Sequence, residues 1–476
     1  MNGQTTPQPG TALAELGRVH FVGVGGVGMS AVARVMVARG VPVSGSDAKD
    51  LPVMRELAAL GARIAVGYDA ANVGDAETVV TGSAIRPDNP ELAEARARGL
   101  PVLHRSEGLA AAMAGSRVLA VAGTHGKTTT TSMATWMLRG AGLDPSFAIG
   151  ANVPALGVNA AHGSTDIFVA EADESDASFL NYRPFVEIIT NVEADHLDHY
   201  GTAEAVHASF DAFAALLPPD GLLVACADDV GARGVAERVR AGAADDGGPR
   251  VLLYGTSPDA DLRLGFGPHG ATLAWDGGEA ALPLVVPGVH NALNAAAAFG
   301  AVVVGLGADP DACAASLATF SGAARRFEFK GEADGVRVYD DYAHHPTEVR
   351  AALAAARGVA GSGGVHVLFQ PHLFSRTREF AAEFAAALAL ADTVRVLDIY
   401  PAREDPIPGV TSELVTASLP GGSYAPSAAA AIAELVAAAA PGDIVLTVGA
   451  GDVTSYGPAL VEAIAARAHG GHPHGT

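Results

Sequence analysis

Short apolar runs alternate with glycine turns and helical periods along most of the chain, and polar residues gather just after the runs. Arg18-Val-His-Phe-Val leads into Gly23-Val-Gly-Gly-Val-Gly-Met-Ser30, which reads as strand, turn and helix. A second strand starts at Val41 and ends at Ser46-Asp47; further strands are predicted at 62–66, 78–81 and 102–103, the last after a helix over 91–98. Val118 to Ala122 is another apolar run, followed by the turn Gly123-Thr-His-Gly126 and a helical pattern through Met133, Trp136, Met137 and Leu138. A strand within 166–176 that ends in carboxylates and another at 186–190 follow, then helix, strand and helix over 203–305, with a strand pair flanking 265–270. An alanine-rich helix begins after Val285-Val-Pro-Gly.

The pattern resets near Phe320-Ser-Gly322. A hairpin over 327–339, a helix, and strands at 365–369, 394–397 and 444–448 form a third strand-and-helix series. Strands alternating with helices predict α/β domains built on mostly parallel sheets. We therefore expect three: a Rossmann-like domain over 1–114, a central P-loop domain over 115–321, and a Rossmann-like α/β domain over 322–476. Residues 1–16 and the histidine-bearing tail 469–476 read as disordered ends.

Length supports this division, since 476 residues suit two to four domains. The formal charge of −22 argues against a nucleic-acid partner, which needs clustered Lys and Arg. No apolar stretch reaches the roughly 18 residues of a membrane span, and the first ten residues lack a signal-peptide pattern. Cys226 and Cys313 lie apart in apolar stretches and read as small buried hydrophobes of a reducing, cytoplasmic compartment. Nothing in the pattern fixes an oligomeric state.

Lysine is almost absent. Only Lys49, Lys127 and Lys330 occur, and one stands in a glycine turn. A strand, a glycine turn and a helix start together leave N–H groups and a partial positive charge aimed at one spot, which suits phosphate. Gly123, Thr124, His125, Gly126, Lys127, Thr128 and Thr129 form this loop. It is shorter than GxxxxGK[ST], which would need glycine at Val121. Lys127 can reach β- and γ-phosphates, and the Thr128 hydroxyl can hold Mg²⁺.

Two more strand ends carry oxygen-rich groups: Glu171, Asp173, Glu174 and Asp176 after one, and Asn191-Val-Glu-Ala-Asp-His196-Leu-Asp-His199 after the other. Carboxylates beside a P-loop suit Mg²⁺. His196 and His199 could be ligands, bases or neither. Asn291 and Asn294, three apart at a helix start, could cap the helix or bind an adenine edge. In the first turn Gly23, Gly25 and Gly28 fit GxGxxG, with Asp47 after the next strand and Ser83 past a strand end. A nicotinamide dinucleotide or any other diphosphate could use that turn.

Eight strings in order, from Gly-Val-Gly-Gly-Val-Gly-Met-Ser through Gly-Thr-His-Gly-Lys-Thr-Thr-Thr, Glu-Ala-Asp-Glu-Ser-Asp, Glu-Ala-Asp-His, His-Asn-Ala-Leu-Asn, Arg-Arg-Phe and Asp-Asp-Tyr-Ala-His-His-Pro-Thr-Glu to Gln-Pro-His, resemble the Mur ligases. These ATP-dependent enzymes add amino acids to the muramoyl precursor of peptidoglycan. The resemblance spans Gly23 to Gly451 and is nearest to the alanine-adding branch. It implies ATP and Mg²⁺ as cofactors, UDP-N-acetylmuramate and L-alanine as small-molecule substrates, and an acyl phosphate between them. Lys127 would hold the β/γ-phosphates and Thr128 the first Mg²⁺, Glu171 would ligate metal, and His196 would serve the second Mg²⁺ site; Asn291 and Asn294 would contact adenine. Gly25, Gly26, Gly28, Asp47 and Ser83 would line the UDP-sugar site. Arg325, Asp341, Tyr342, His344 and Arg376 would act from the third domain, which would bind the amino acid and close over ATP.

Two departures stand out. Leu373 replaces an arginine that relatives often carry after Gln-Pro-His, which bears on amino-acid selectivity. Sister ligases use a carboxylated lysine at the second metal, but no lysine lies between Lys127 and Lys330. The competing readings are a recycling ligase that attaches a ready-made tripeptide, an NAD-dependent oxidoreductase, and a non-enzymatic nucleotide sensor.

Overall fold

The computed structural model describes residues 13–243, 247–267, 270–402 and 404–470. The leader predicted over 1–16 and the histidine tail therefore fall largely outside the described residues. The chain forms three α/β domains, each on its own sheet. It divides into two compact units: one takes the chain up to Val285 plus Ala292–Ser321, the other takes Val286–Asn291 and everything from Gly322.

The first unit holds two sheets. The N-terminal sheet comprises β1 (Val19–Val22), β2 (Val43–Asp47), β3 (Arg63–Val66), β4 (Thr78–Thr81) and β5 (Val102–His104), all parallel in the order 3-2-1-4-5. The order reverses at β1, which places its glycine turn at the crevice where such sheets bind ligands. β2 starts at Val43, two residues later than the apolar pattern suggests. Pro42 cannot donate to the ladder; its carbonyl instead accepts from Val19 N–H at 3.0 Å.

The central sheet has ten strands: β6 (Arg117–Ala122), β7 (Ser146–Ala148), β8 (Ala160–Ala161), β9 (Ile167–Glu171), β10 (Val186–Ile189), β11 (Leu222–Cys226), β12 (Arg250–Gly255), β13 (Leu262–Gly267), β14 (Gly270–Trp275) and β15 (Gly278–Leu282). β10, β6 and β9 lie side by side and parallel in its middle. Their apolar runs are buried on both faces, as parallel strands covered by helices must be. The antiparallel β13–β15 extend one edge, and short β8 ends the other. Phe179 stacks on Phe213 at 4.6 Å and meets Phe210 edge-on at 5.6 Å, anchoring a helix on this sheet. One strand residue breaks the apolar rule: Glu187 is fully buried in β10.

The second unit carries β16 (Glu328–Ala333), β17 (Val336–Asp341), β18 (Val365–Phe369), β19 (Thr393–Val396), β20 (Gly422–Tyr424) and β21 (Ile444–Val448). Among the described residues of this sheet, only the β16–β17 hairpin is antiparallel. That hairpin runs over 328–341 rather than 327–339, because Phe327 takes a left-handed backbone with φ 51°. Val349, Leu353, Val367, Phe369, Phe384 and Leu446 lie in its main apolar cluster. Among the described residues no helix is long and apolar enough to cross a membrane.

Candidate functional site

β6 ends at Ala122, and a turn leads into the helix Lys127–Gly140. The turn is held from β10. Thr124 N–H donates to the Asn191 carbonyl at 3.1 Å, and His125 N–H donates to Asn191 Oδ1 at 2.7 Å. Asn191 Nδ2 and Thr190 Oγ1 both donate to the His125 carbonyl, at 3.0 and 2.6 Å. One amide side chain thus pairs with both polar groups of His125, as a neighbouring strand would. Glu193 N–H adds a 2.9 Å bond to Thr124 Oγ1.

Gly126 caps the helix with φ 85°, a left-handed conformation that L side chains rarely take. A Cβ there would also come within 2.7 Å of Asn294 Oδ1. The helix Val289–Phe299 therefore brings Asn294 directly against the loop, while Asn291 Nδ2 donates to the Pro287 carbonyl at 2.7 Å. The first intrahelical bond to Gly126 comes from Thr130 N–H, so the N–H groups of Lys127, Thr128 and Thr129 precede the ladder. That end of the helix attracts anions.

Lys127 Nζ donates to the carbonyls of Gly123 and Thr124 at 2.6 and 3.2 Å and to Glu174 Oε1 at 3.0 Å. Burial pulls its pKa down, but the carboxylates of Glu174, Asp173 and Glu171 outweigh that and hold it above the usual lysine value. Thr128 Oγ1 donates to Glu171 Oε1 at 3.0 Å, and Gly150 N–H donates to Glu171 Oε2 at 2.8 Å. His196, left-handed with φ 56°, has Nε2 3.6 Å from Glu174 and 3.7 Å from Asp195. Burial lowers the pKa of His196, yet those two carboxylates leave it raised overall. The structure thus joins Thr128 directly to Glu171, and ties His196 to Lys127 through Glu174. His125 Nε2 lies 3.6 Å from Glu193.

The N-terminal domain meets the same acidic segment through Ser83 and Arg105, and the glycine turn after β1 has its own supports. N–H groups of Gly23 and Val24 donate to the Ser46 carbonyl, both at 2.9 Å, and Gly25 N–H donates to Asp47 Oδ2 at 3.0 Å. Gly26 caps the helix Val27–Ala38, and Gly28 lies in its first turn. Ser83 Oγ donates to Asp176 Oδ2 at 3.1 Å and sits 3.1 Å from His104 Nε2. Arg105 Nη2 donates to Asp173 Oδ2 at 3.4 Å. Burial resists ionisation of Asp173, but Lys127 and Arg105 together hold its carboxyl below the usual range. Beneath the turn, buried Glu91 accepts from Ser46 Oγ at 2.5 Å and Asn72 Nδ2 at 2.7 Å, with His20 Nε2 at 3.2 Å.

The third-domain candidates lie together in the second unit. Arg325 donates to the carbonyls of Gly449, Ala450 and Gly451 and to Asp340, and its guanidinium sits 4.8 Å over the Tyr342 ring. Asp341 accepts from the N–H groups of Phe327 and Ala343, both at 2.8 Å; burial pushes its carboxyl up to about 6. His344 Nδ1 lies 3.1 Å from the Tyr342 carbonyl and 3.3 Å from Glu348. Arg376 is buried in the first turn of the helix Phe374–Leu388, just past Leu373, whose φ is 71°.

Sequence reasoning singled out the loop and the carboxylate clusters but missed the tie of Asn191 to His125, and it missed Arg105, His104 and the His20–Glu91 pair. His20 had one visible signal, a polar residue inside an apolar strand.

Residues 18–117 match the Mur ligase family, catalytic domain; 121–302 the Mur ligase middle domain; and 325–451 the Mur ligase, glutamate ligase domain. The chain is 71% identical over 453 residues to UDP-N-acetylmuramate–L-alanine ligase of Paenarthrobacter aurescens, covering 95% of this chain and 98% of that one. It is 61% identical to the enzyme of that name from Renibacterium salmoninarum, over 96% and 99%. Among solved structures, the UDP-N-acetylmuramate–alanine ligase of Thermotoga maritima superposes with a TM-score of 0.74 at 28% identity, covering 96% of this chain and 100% of that one. A murein peptide ligase from Psychrobacter arcticus shares the fold, with a TM-score of 0.68 at 24% identity over 94% and 98%.

Proposed function

The chain belongs to the Mur ligase family, and from that premise we propose that it joins L-alanine to the lactyl carboxylate of UDP-N-acetylmuramate at the expense of ATP. Residues 1–114 would bind the UDP-sugar, 115–321 ATP, and 322–476 the amino acid. The observation that carries the reading is the half-buried Lys127 at the end of its glycine turn, flanked by Glu174 and by the Thr128–Glu171 pair. Relatives at 53–71% identity that bear the alanine ligase name support the choice of substrates.

The lactyl carboxylate attacks the γ-phosphorus of ATP, so a C–O–P bond forms and ADP leaves. The alanine amine then attacks the acyl carbon, the C–O bond to phosphate breaks, and the amine loses a proton. Lys127 and the helix start at Thr128 would hold the β- and γ-phosphates against the repulsion between two anions. Thr128 and Glu171, whose oxygens lie 3.0 Å apart, are a donor set that fits Mg²⁺, with His196 at a second position. Bound there, Mg²⁺ would supply charge neutralisation on the phosphates. Asn294, packed on Gly126, and Asn291 one turn away would face the adenine. Gly25, Gly26, Gly28, Asp47 and Ser83 would take the nucleotide sugar. Tyr342, His344 and Arg376 would meet the amino acid, with Arg325 and Asp341 shaping the strand-end loops that carry them. The reaction belongs in the cytoplasm, where ATP and UDP-sugars are made.

ADP release with UDP-N-acetylmuramate, Mg²⁺ and each of the twenty amino acids tests this. Alanine should dominate. Release with a murein tripeptide and not with alanine would move the chain to the recycling reading, and release with neither would overturn ligation.

A further inference from the structure

Glu91 lies in the first turn of the helix Pro90–Ala97 and is fully buried, as is His20 in the middle of β1. Both oxygens of the carboxylate are engaged. Oε2 accepts from Ser46 Oγ at 2.5 Å and lies 3.2 Å from His20 Nε2. Oε1 accepts from Asn72 Nδ2 at 2.7 Å and from Asp69 N–H at 3.2 Å. His20 Nδ1 in turn lies 2.9 Å from Ser44 Oγ. Burial resists ionisation of Glu91, but the hydrogen bonds to His20, Ser46 and Asn72 outweigh it and hold the carboxyl below its usual value. One side chain thus joins β1, the end of β2, the loop after β3 and the helix after β4.

The network reaches the glycine turn through Ser46. Its hydroxyl goes to Glu91, and its carbonyl accepts the N–H groups of Gly23 and Val24. Asp47, next in the chain, accepts from Gly25 N–H at 3.0 Å through Oδ2 and from Gly67 N–H at 2.7 Å through its carbonyl. Asn72, on the other oxygen of Glu91, donates to the Gly67 carbonyl at 3.0 Å. The turn is therefore pinned to the end of β2, and the end of β2 is braced on Glu91 from two sides. A buried ionic network adds little net stability over apolar residues of the same volume. Satisfied at each atom, it fixes one geometry.

We propose that Glu91, with His20, is a positioning residue for ligation: through Ser46 it sets the end of β2 and so holds Asp47 and the turn in the shape that receives the nucleotide sugar. The inference rests on the nucleotide-sugar reading above and deepens it, since both groups are fully buried and act without touching the substrate.

The test is steady-state kinetics of the full-length protein with UDP-N-acetylmuramate, ATP and L-alanine, beside scanning calorimetry. Ser46→Ala cuts the tie between the network and the turn and leaves the other bonds of Glu91 in place. It should raise KM for the nucleotide sugar about 3- to 10-fold, the worth of one hydrogen bond, while kcat and KM for ATP stay within about twofold. Glu91→Gln keeps the volume and removes the charge; it should shift the same KM in the same direction. Combining the two should add less than about twofold to the larger single effect, because both act through one bond. A nucleotide-sugar KM of Ser46→Ala within about twofold of wild type, a rise shared by ATP, or effects that multiply in the double variant would overturn the assignment. A general loosening of the domain would lower melting without that selectivity or that coupling. If Glu91→Gln does not fold, Ser46→Ala decides alone: an unchanged KM overturns, a selective rise supports. Wild-type protein that does not turn over UDP-N-acetylmuramate would sink the nucleotide-sugar reading instead.

Discussion

Replacing Lys127 separates two roles that an activity assay alone would merge. Its side chain is 15% exposed, and its ammonium pairs at 2.8 Å with Glu174, whose side chain is 2% exposed. Lys127→Ala removes the proposed phosphate-binding cation and also strands a buried carboxylate. Stranding one partner of a buried pair costs about 3–5 kcal/mol. His196, 3.6 Å from Glu174, remains beside the carboxylate, so the lower end of that range applies. At roughly 2–4 °C per kcal/mol for a large domain, melting should fall by about 10 °C. Adding Glu174→Gln removes the stranded charge, and the double variant should regain most of that loss. Ligation should not return with it. Scanning calorimetry and ADP release on the wild type, both single variants and the double variant complete the cycle. If the double variant melts no higher than Lys127→Ala, the ion pair is not what holds the turn. If it ligates alanine, Lys127 serves the fold and the phosphate assignment fails.

Gly126→Ala should weaken binding of a non-hydrolysable ATP analogue by more than about tenfold, from a left-handed cost of about 1–2 kcal/mol plus displacement of Asn294; unchanged affinity would remove Asn294 from the nucleotide site. Asn191→Ala leaves both polar groups of His125 without their amide partner, so it should cost about 1–3 kcal/mol and loosen ATP while UDP binding stays intact, read by parallel titrations. Burial holds the Glu187 carboxyl well above the usual range. Its favourable contribution is complete below the unfolded glutamate pKa of about 4.3 and is lost as pH rises through the folded value; Glu187→Gln should thus out-melt the wild type by a margin that widens across that window, and a pH-independent margin would refute this. Chelation with EDTA should leave melting within about 2 °C, since the carboxylates near the P-loop already have protein partners; a fall of about 10 °C would mean that a cation holds the segment together.

Much of this architecture was readable from the chain. The strands β6, β9 and β10 show as unbroken apolar runs because both their faces are covered, and each is followed by its polar cluster. What sequence could not supply is register. Glu171 reaches Thr128 because it pairs with Val121 across β9 and β6, which sets its carboxylate level with the turn. Asn191 meets His125 because Ile189 pairs with Ala122. A slip of one residue in either ladder would turn these side chains to the opposite face. Arg105 was invisible for another reason. Its acidic partner lies 68 residues on, in another domain, and no local period links the two.

The four carboxylates within six residues at the end of β9 suit Mg²⁺ in the sequence because they are oxygen-rich groups beside a P-loop. In the fold they separate by direction. Glu171 and Glu174 turn to Thr128 and Lys127, while Asp173 and Asp176 turn to Arg105 and Ser83. Protein groups therefore answer all four, and Glu171, beside the Thr128 hydroxyl, is the one proposed above to hold Mg²⁺. The segment is better understood as a two-sided bracket whose acidic residues align the loop that would grip ATP with the turn that would grip the nucleotide sugar. That arrangement would bring an attacking carboxylate and a γ-phosphate to one place, and it would account for a strand end that holds more negative charge than one or two metal ions require.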